Sequence, residues 1–262
     1  MMTLDWTVLS DGWTAAPAGA VLHGESWREK IRFYAVAFLL RHPEAGPVLV
    51  DTGYSSRFFS ETKHFPNRLY RMITPVTLTD PEGIAGQLRQ HGVAPEEVQH
   101  VVITHFHADH IGGLKDFPNA LFHCSPAAWD SVKRTKGLDA VRHAFLPGLL
   151  PFDIAGRLRW VEEGTDLFGD GAITVLELPG HAAGQIGLRF TASDGTPVRL
   201  ASDACWHSQA YRENSMPHPV TRLLNDWGPY RKTLQRLHEL HCHEPDLLIL
   251  PTHCPETAEL LR

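Results

Sequence analysis

The hydrophobic positions of this chain fall into short apolar runs closed by turn signals rather than into long helical stripes. Residues 6–9 form a candidate strand ended by Ser10-Asp11-Gly12. Residues 33–40 are rich in aromatic and branched side chains. Residues 48–50 follow at hairpin distance and end in Asp51-Thr52-Gly53. Further strands are predicted at 101–103, 120–122, 159–161, 173–176, 187–190, 197–201 and 247–250. Helical signals are fewer. Thr79-Asp80-Pro81-Glu82 predicts a helix start with Asp80 as N-cap and Pro81 at the first helical position. Ile84 and Leu88 would be its apolar face and Gly92 its stop. Ser125-Pro126 opens a second helix with Trp129 and Val132, and residues 228–240 form a third. Residues 135–157 have no clean period and are expected as loops.

Residues 54–74 differ in character, with Phe58, Phe59, Phe65 and Tyr70 interleaved among Arg57, Lys63, Arg68 and Arg71. The segment reads either as a peripheral helix with an ordinary buried face or as a flap offering aromatic and basic surface to a substrate. The first reading is slightly preferred, because such content alone is weak evidence.

Several of the strands deliver a His or Asp at their C-terminal end. The run 101–103 leads into Thr104-His105-Phe106-His107-Ala108-Asp109-His110, which holds three imidazoles and a carboxylate in six positions. Residues 173–176 lead to Pro179-Gly180-His181, 197–201 to Ser202-Asp203, and 247–250 to Pro251-Thr252-His253. Imidazole and carboxylate are first-choice ligands for zinc and similar divalent ions. Residues two apart on an extended chain share a face, so His105 and His107 can converge on one ion. Packed strands end near a common rim, and four such ends would gather seven donors around one cleft. Asp51 also ends a strand. It reads either as a turn-capping residue or as a group that holds a ligand histidine by its other ring nitrogen.

Composition narrows the class. The 262 residues are 43% hydrophobic and 21% charged, as in a globular protein with a sizeable core. A net charge of −6 lacks the basic footprint of a nucleic-acid binder. The four cysteines form no CxxC pair, which fits reduced thiols. No signal-peptide pattern or membrane-spanning run is present. The expectation is one cytoplasmic domain over residues 1–262 that acts on a small molecule, with no nucleic-acid or membrane partner. Oligomeric state has no signal in the sequence.

The motif His105-x-His107-x-Asp109-His110, with Asp51-Thr52-Gly53 before it and His181, Asp203 and His253 after it, resembles the metallo-β-lactamase superfamily. The match runs from about Val48 to the C-terminus. The resemblance implies an α+β fold, a four-layered αβ/βα sandwich with the active site along one edge. It also implies two divalent metal ions, zinc first and iron or manganese as alternatives. His105, His107 and His181 would hold one ion, and Asp109, His110 and His253 the other, with Asp203 bridging. Two ions sharing a hydroxide supply a nucleophile near neutral pH. Asp109 is the candidate catalytic residue, passing a proton to the leaving group.

Within the superfamily the chain looks most like the N-acyl homoserine lactonases, through the long segment after Asp203 and the helix with Leu234 and Leu237 before the last histidine. Those lactonases commonly carry a tyrosine three residues after the bridging aspartate, where this chain has Trp206. Indole supplies one N–H donor and no acidic hydroxyl. A glyoxalase II-like thioesterase, or another ester or phosphodiester hydrolase, would use the same donors. Outside the hydrolases stand a mononuclear iron dioxygenase and a non-catalytic metal-binding module. The group recognised would be set by segments 54–74 and 206–230.

Overall fold

The computed structural model describes residues 2–80 and 82–260, and among these ten strands form two sheets. The first sheet has the order β1 (Asp5–Pro17), β2 (Lys30–His42), β3 (Gly46–Val50), β4 (His100–Val102), β5 (Leu121–Cys124) and β6 (Leu158–Trp160). Its first three strands pair antiparallel, and β3 through β6 pair parallel. The second sheet comprises β7 (Thr174–Glu177), β8 (Ile186–Thr191), β9 (Pro197–Ser202) and β10 (Leu248–Pro251), in the order β10-β9-β8-β7.

The period of two along each strand sorts the apolar runs into layers. On β2, Val36, Phe38 and Leu40 face the second sheet, while Ala35, Ala37 and Leu39 face the helices outside the first. Val48 and Val50 on β3 and Val102 on β4 join the inter-sheet layer, and Leu49 and Val101 join the outer one. Ile186, Leu188, Val198 and Leu200 complete the inter-sheet layer from the other side. A third layer packs Tyr230, Leu234 and Leu237 of the helix Trp227–His243 on Leu178, Ala201 and Ile249. Three apolar layers between helix, sheet, sheet and helix make the four-layered αβ/βα sandwich. Strands buried on both faces explain why their sequences read as continuous apolar runs. Among the described residues no helix is long and apolar enough to cross a membrane.

Local expectations fail where a tertiary contact competes. Ser10-Asp11-Gly12 does not end β1; it forms a bulge, and the strand continues to Pro17. Inside the bulge the buried Asp11 Oδ1 accepts from Thr79 N, Thr79 Oγ1 and Asp80 N at 3.1, 2.6 and 2.9 Å. With Asp80 held in that turn, the helix starts at Gly83 instead, and Ile84 and Leu88 still form its buried face. The expected role of Pro81 lies outside the described residues. Residues 135–157 contain the helices Gly137–Arg142 and Ile154–Arg157, too short to display a period. Segment 54–74 forms two short helices, Arg57–Glu61 and Arg68–Ile73. Phe58 and Tyr70 are buried, whereas Phe65, Met72 and Ile73 are exposed.

Between β4 and β5, His100 and His123 form a pair, Nδ1 to Nε2 at 3.0 Å. Burial, with the charges of His100 and Arg159, lowers His123 to about 4. Between the unfolded value of about 6.5 and that folded value, the unfolded chain binds more protons. Stability is therefore complete above pH 6.5 and falls on acidification, with about 2 kcal/mol lost by pH 5. His123→Gln should flatten the dependence of urea midpoint on pH between 7.5 and 5; an unchanged slope would remove His123 as its source.

Candidate metal centre

The chain leaving β4 bends at Thr104, is extended at His107 and then enters the one-turn helix Ala108–Ile111. The rings of His105 and His107 lie 4.4 Å apart, and the helical turn brings His110 within 4.0 Å of His105 with Asp109 beside it. His181 follows β7, Asp203 follows β9 and His253 follows β10, so four strand ends meet on one rim. Two of the strands that shape this rim end in left-handed, non-glycine residues: Asp51 after β3 (φ 58°) and Ser202 on β9 (φ 46°). Such conformations cost about 1–3 kcal/mol each and persist where surrounding bonds hold them.

All seven histidine and aspartate positions read from the sequence converge. Donor atoms of His105, His107 and His181 lie within 4.8 Å of one another, as do those of His105, His110 and Asp203, and those of Asp109, His110 and His253. Asp203 is central: its carboxylate oxygens lie 3.3 Å from His110 Nε2, 3.3 Å from His181 Nε2 and 2.8 Å from His253 Nε2. His107 Nδ1 is 3.0 Å from His181 Nε2. The Nε2 atoms of His105 and His110 and Oδ1 of Asp203 are buried without a hydrogen-bond partner.

The far sides of three rings are tied down. His110 Nδ1 donates to Asp51 Oδ2 at 2.7 Å, His181 Nδ1 to Asn225 Oδ1 at 2.8 Å, and His253 Nδ1 to the Tyr34 carbonyl at 2.6 Å. A ring that donates through Nδ1 presents the Nε2 lone pair inward, the form that binds a cation. Asp51 thus has the ring-holding role, and it also accepts from Thr104 N and Thr104 Oγ1 at 2.9 and 2.8 Å. Ser202 Oγ donates to Thr104 Oγ1 at 2.9 Å, which links the two sheets beneath the site. Three buried, unsatisfied donor atoms on imidazole and carboxylate, beside rings held from behind, fit divalent cations of the zinc type.

The electrostatics of three rings and of Asp203 agree with that fit. At His110 and His253 burial lowers the imidazole, but Asp51 and Asp203 outweigh it and raise His110 well above the usual value, and Asp203 raises His253. Burial, helped by the neighbouring rings, pushes His105 and His107 well below the usual imidazole value, and burial also lowers His181. Burial pushes the Asp203 carboxyl up, but His253, His110 and His181 outweigh it and hold the group well below the usual range. Neutral rings and ionised carboxylate are the ligating forms.

The model of the metallo-beta-lactamase superfamily matches residues 31–196. The chain belongs to the metallo-beta-lactamase superfamily. As a member carrying this donor set it is a metal-dependent hydrolase. It is 30% identical over 242 residues to a probable metallo-hydrolase of Mycobacterium tuberculosis, covering 86% of this chain and 76% of that one. It is 28% identical over 194 residues to the N-acyl homoserine lactonase AttM of Azorhizobium caulinodans, covering 69% and 68%. Among solved structures it resembles an N-acyl homoserine lactone hydrolase with N-hexanoyl-L-homoserine bound at its catalytic metal centre, with TM-score 0.76, 20% identity and coverage of 100% and 98%. It also resembles the dizinc lactonase AidC, with TM-score 0.68, 15% identity and coverage of 97% and 90%. At these identities the structural likeness bears on the fold.

Three supports of this superfamily site escaped the sequence reading: Asn225, the Tyr34 carbonyl and Thr104. A backbone carbonyl has no sequence signature. Asn225 sits 44 residues from the ring it holds, in an irregular segment without period. Trp206 is buried, with its ring 5.8 Å from His181 and 5.7 Å from Phe33. The Tyr211 hydroxyl donates to the Ile249 carbonyl at 3.3 Å, so it points into the third apolar layer. Asp51→Ala should weaken metal binding about 10–100-fold by chelator competition, with the fold kept by circular dichroism. Unchanged affinity would reduce Asp51 to a turn residue.

Proposed function

We propose that the protein is a single-domain lactonase that opens small lactones, with N-acyl homoserine lactones as the first class to test. The observation that carries the hydrolytic reading is the convergence of seven donors, three of whose buried atoms lack any partner. The lactone class is supported by the relatives named N-acyl homoserine lactonases, at 24–28% identity. We assign His105, His107 and His181 to one ion, Asp109, His110 and His253 to the other, and Asp203 to both. Bound zinc ions would bring a shared water to near-neutral acidity and polarise the scissile carbonyl.

The residues do the rest. Of the two carboxylates in the site, Asp203 is 2% exposed and Asp109 is 14% exposed. Asp109 is therefore the one a substrate reaches, and it carries the proton to the leaving oxygen. A water oxygen bonds to the acyl carbon, the ring C–O bond breaks, and that proton completes the released hydroxyl. Asp51, Asn225 and the Tyr34 carbonyl orient the histidines, and Trp206 with Phe33 screens His181 and His253 from water. With Tyr211 turned away and Trp206 in the expected tyrosine position, the reading assigns no protein hydroxyl to the oxyanion. The exposed Val220, Leu223 and Leu224 immediately precede Asn225 and offer an apolar lip to an acyl chain. Four free thiols suit a reducing, cytoplasmic setting.

The test is metal content per chain together with hydrolysis of lactones of varied chain length, thioesters, β-lactams and phosphodiesters. About two zinc ions and a lactone preference are expected, with hydrolysis abolished by His107→Ala and by Asp109→Ala. A thioester preference would move the protein to the glyoxalase II-like class. One iron with oxygen uptake would replace hydrolysis altogether.

A further inference from the structure

We propose that the outer face of the second sheet holds a binding site for a small phosphate-type polyanion, built from Arg189, Arg199 and Arg236. The site is separate from the metal centre and does not depend on the lactonase reading.

Arg189 on β8 and Arg199 on β9 are direct partners in the antiparallel ladder. Their neighbours Leu188, Phe190, Val198 and Leu200 point into the inter-sheet layer, so both arginines point outward on the same face. Directly opposite residues have Cα atoms about 4.5–5.5 Å apart, and like charges placed so are destabilising. The helix Trp227–His243 covers only part of this face. Its Arg236 lines one small crevice with Arg199, and Arg199 and Arg189 together line the open groove beyond it, of about 230 Å³. Arg199 therefore lines both hollows, with Arg236 on one side and Arg189 on the other.

Several arginines elsewhere are neutralised or stacked, Arg57 with Asp116, Arg89 with Glu82, Arg212 with Glu256 and Arg32 over Trp13, whereas unpartnered ones such as Arg134 and Arg142 do not stand opposite a second arginine in a strand ladder. Among the described residues the side chains of Arg189, Arg199 and Arg236 make no hydrogen bond or ion pair. Burial, with the like charges of Arg189 and Arg236, lowers the pKa of Arg199 against the opposing pull of Glu244 and Glu163. Glu244 lines the groove, and Glu163 already accepts from the Glu177 amide. Three guanidinium groups against Glu244 in the groove and Glu163 near it still leave a net cationic surface. Planar forks of N–H donors match phosphate oxygens in pairs. A bound dianion would also turn the repulsion between Arg189 and Arg199 into shared attraction.

Fructose 1,6-bisphosphate is a suitable probe, because it carries two phosphates at small size. It is titrated calorimetrically into the zinc-loaded enzyme at constant ionic strength. Saturable 1:1 binding is expected, weakened at least tenfold by Arg189→Gln and by Arg199→Gln. Neither variant should change kcat/KM for the preferred substrate without probe, and neither should lower the melting temperature at low salt. Absence of saturable binding to the wild-type protein would overturn the proposal. So would equal affinity in both variants, which would place the anion at another site, such as the metal centre.

Discussion

Asp203→Ala is expected to reduce hydrolysis by on the order of 10³-fold or more and to lower metal content below two ions per chain. The carboxylate is 2% exposed and faces three imidazole nitrogens at 2.8–3.3 Å. In the assignment proposed above, these nitrogens come from both ion groups, His181 from one and His110 and His253 from the other. Removing the charge leaves those rings buried without the anion that balances a bound cation. Asp203→Asn keeps the shape but replaces an anionic acceptor with a neutral amide, so it should fail nearly as badly. Metal analysis and kcat/KM measured on the same preparations check both points. Full metal content with near-normal turnover in either variant would sink the assignment of Asp203 as a bridge.

Gly180→Ala is expected to destabilise the fold by about 3 kcal/mol or more, because overpacking and a strained backbone act together. Gly180 has φ 132°, and a Cβ there would fall 2.2 Å from Tyr230 N and 2.3 Å from Tyr230 Cα. Both neighbours are backbone or backbone-linked atoms in the first turn of a long helix, so no side-chain rotation relieves the clash. The Gly180 carbonyl also accepts from Asp226 N at 2.7 Å, just before that helix. The substitution therefore pushes the loop carrying His181 away from the segment carrying Asn225. For a chain of this size the melting temperature should drop by roughly 6–12 °C. Gly195→Ala is the control: its φ is 89°, but nothing lies within 4 Å of the added carbon. It should lose only the backbone part, about 1 kcal/mol. Equal losses in the two variants would mean that the contact with Tyr230 is soft.

The donors were legible because each is attached to a strong local signal. His105, His107, Asp109 and His110 fall within six positions just after a buried strand, and His181, Asp203 and His253 each close an apolar run. The strands themselves were legible for the same reason: burial on both faces leaves little room for polar residues, as β2 and β3 illustrate. The misread elements share the opposite property. The bulge at Ser10-Asp11-Gly12 and the late start at Gly83 follow from Asp11 accepting hydrogen bonds some 68 residues away. No window of local sequence contains both partners. The short helices Gly137–Arg142 and Ile154–Arg157 lie below the length at which a 3.6-residue period becomes visible.

The sequence by itself determined which residue types reach the rim, in what order, and that their chemistry suits divalent cations. Local patterning suffices for that, since strand alternation and turn residues are properties of neighbours along the chain. Only the tertiary structure decided how the rings are held: Asp51 behind His110, Asn225 behind His181 and the Tyr34 carbonyl behind His253. It alone set Arg189 opposite Arg199 across β8 and β9 and turned Tyr211 into the core. These relations join residues through strand register and sheet packing, where the energy depends on distances that the linear order of residues does not contain.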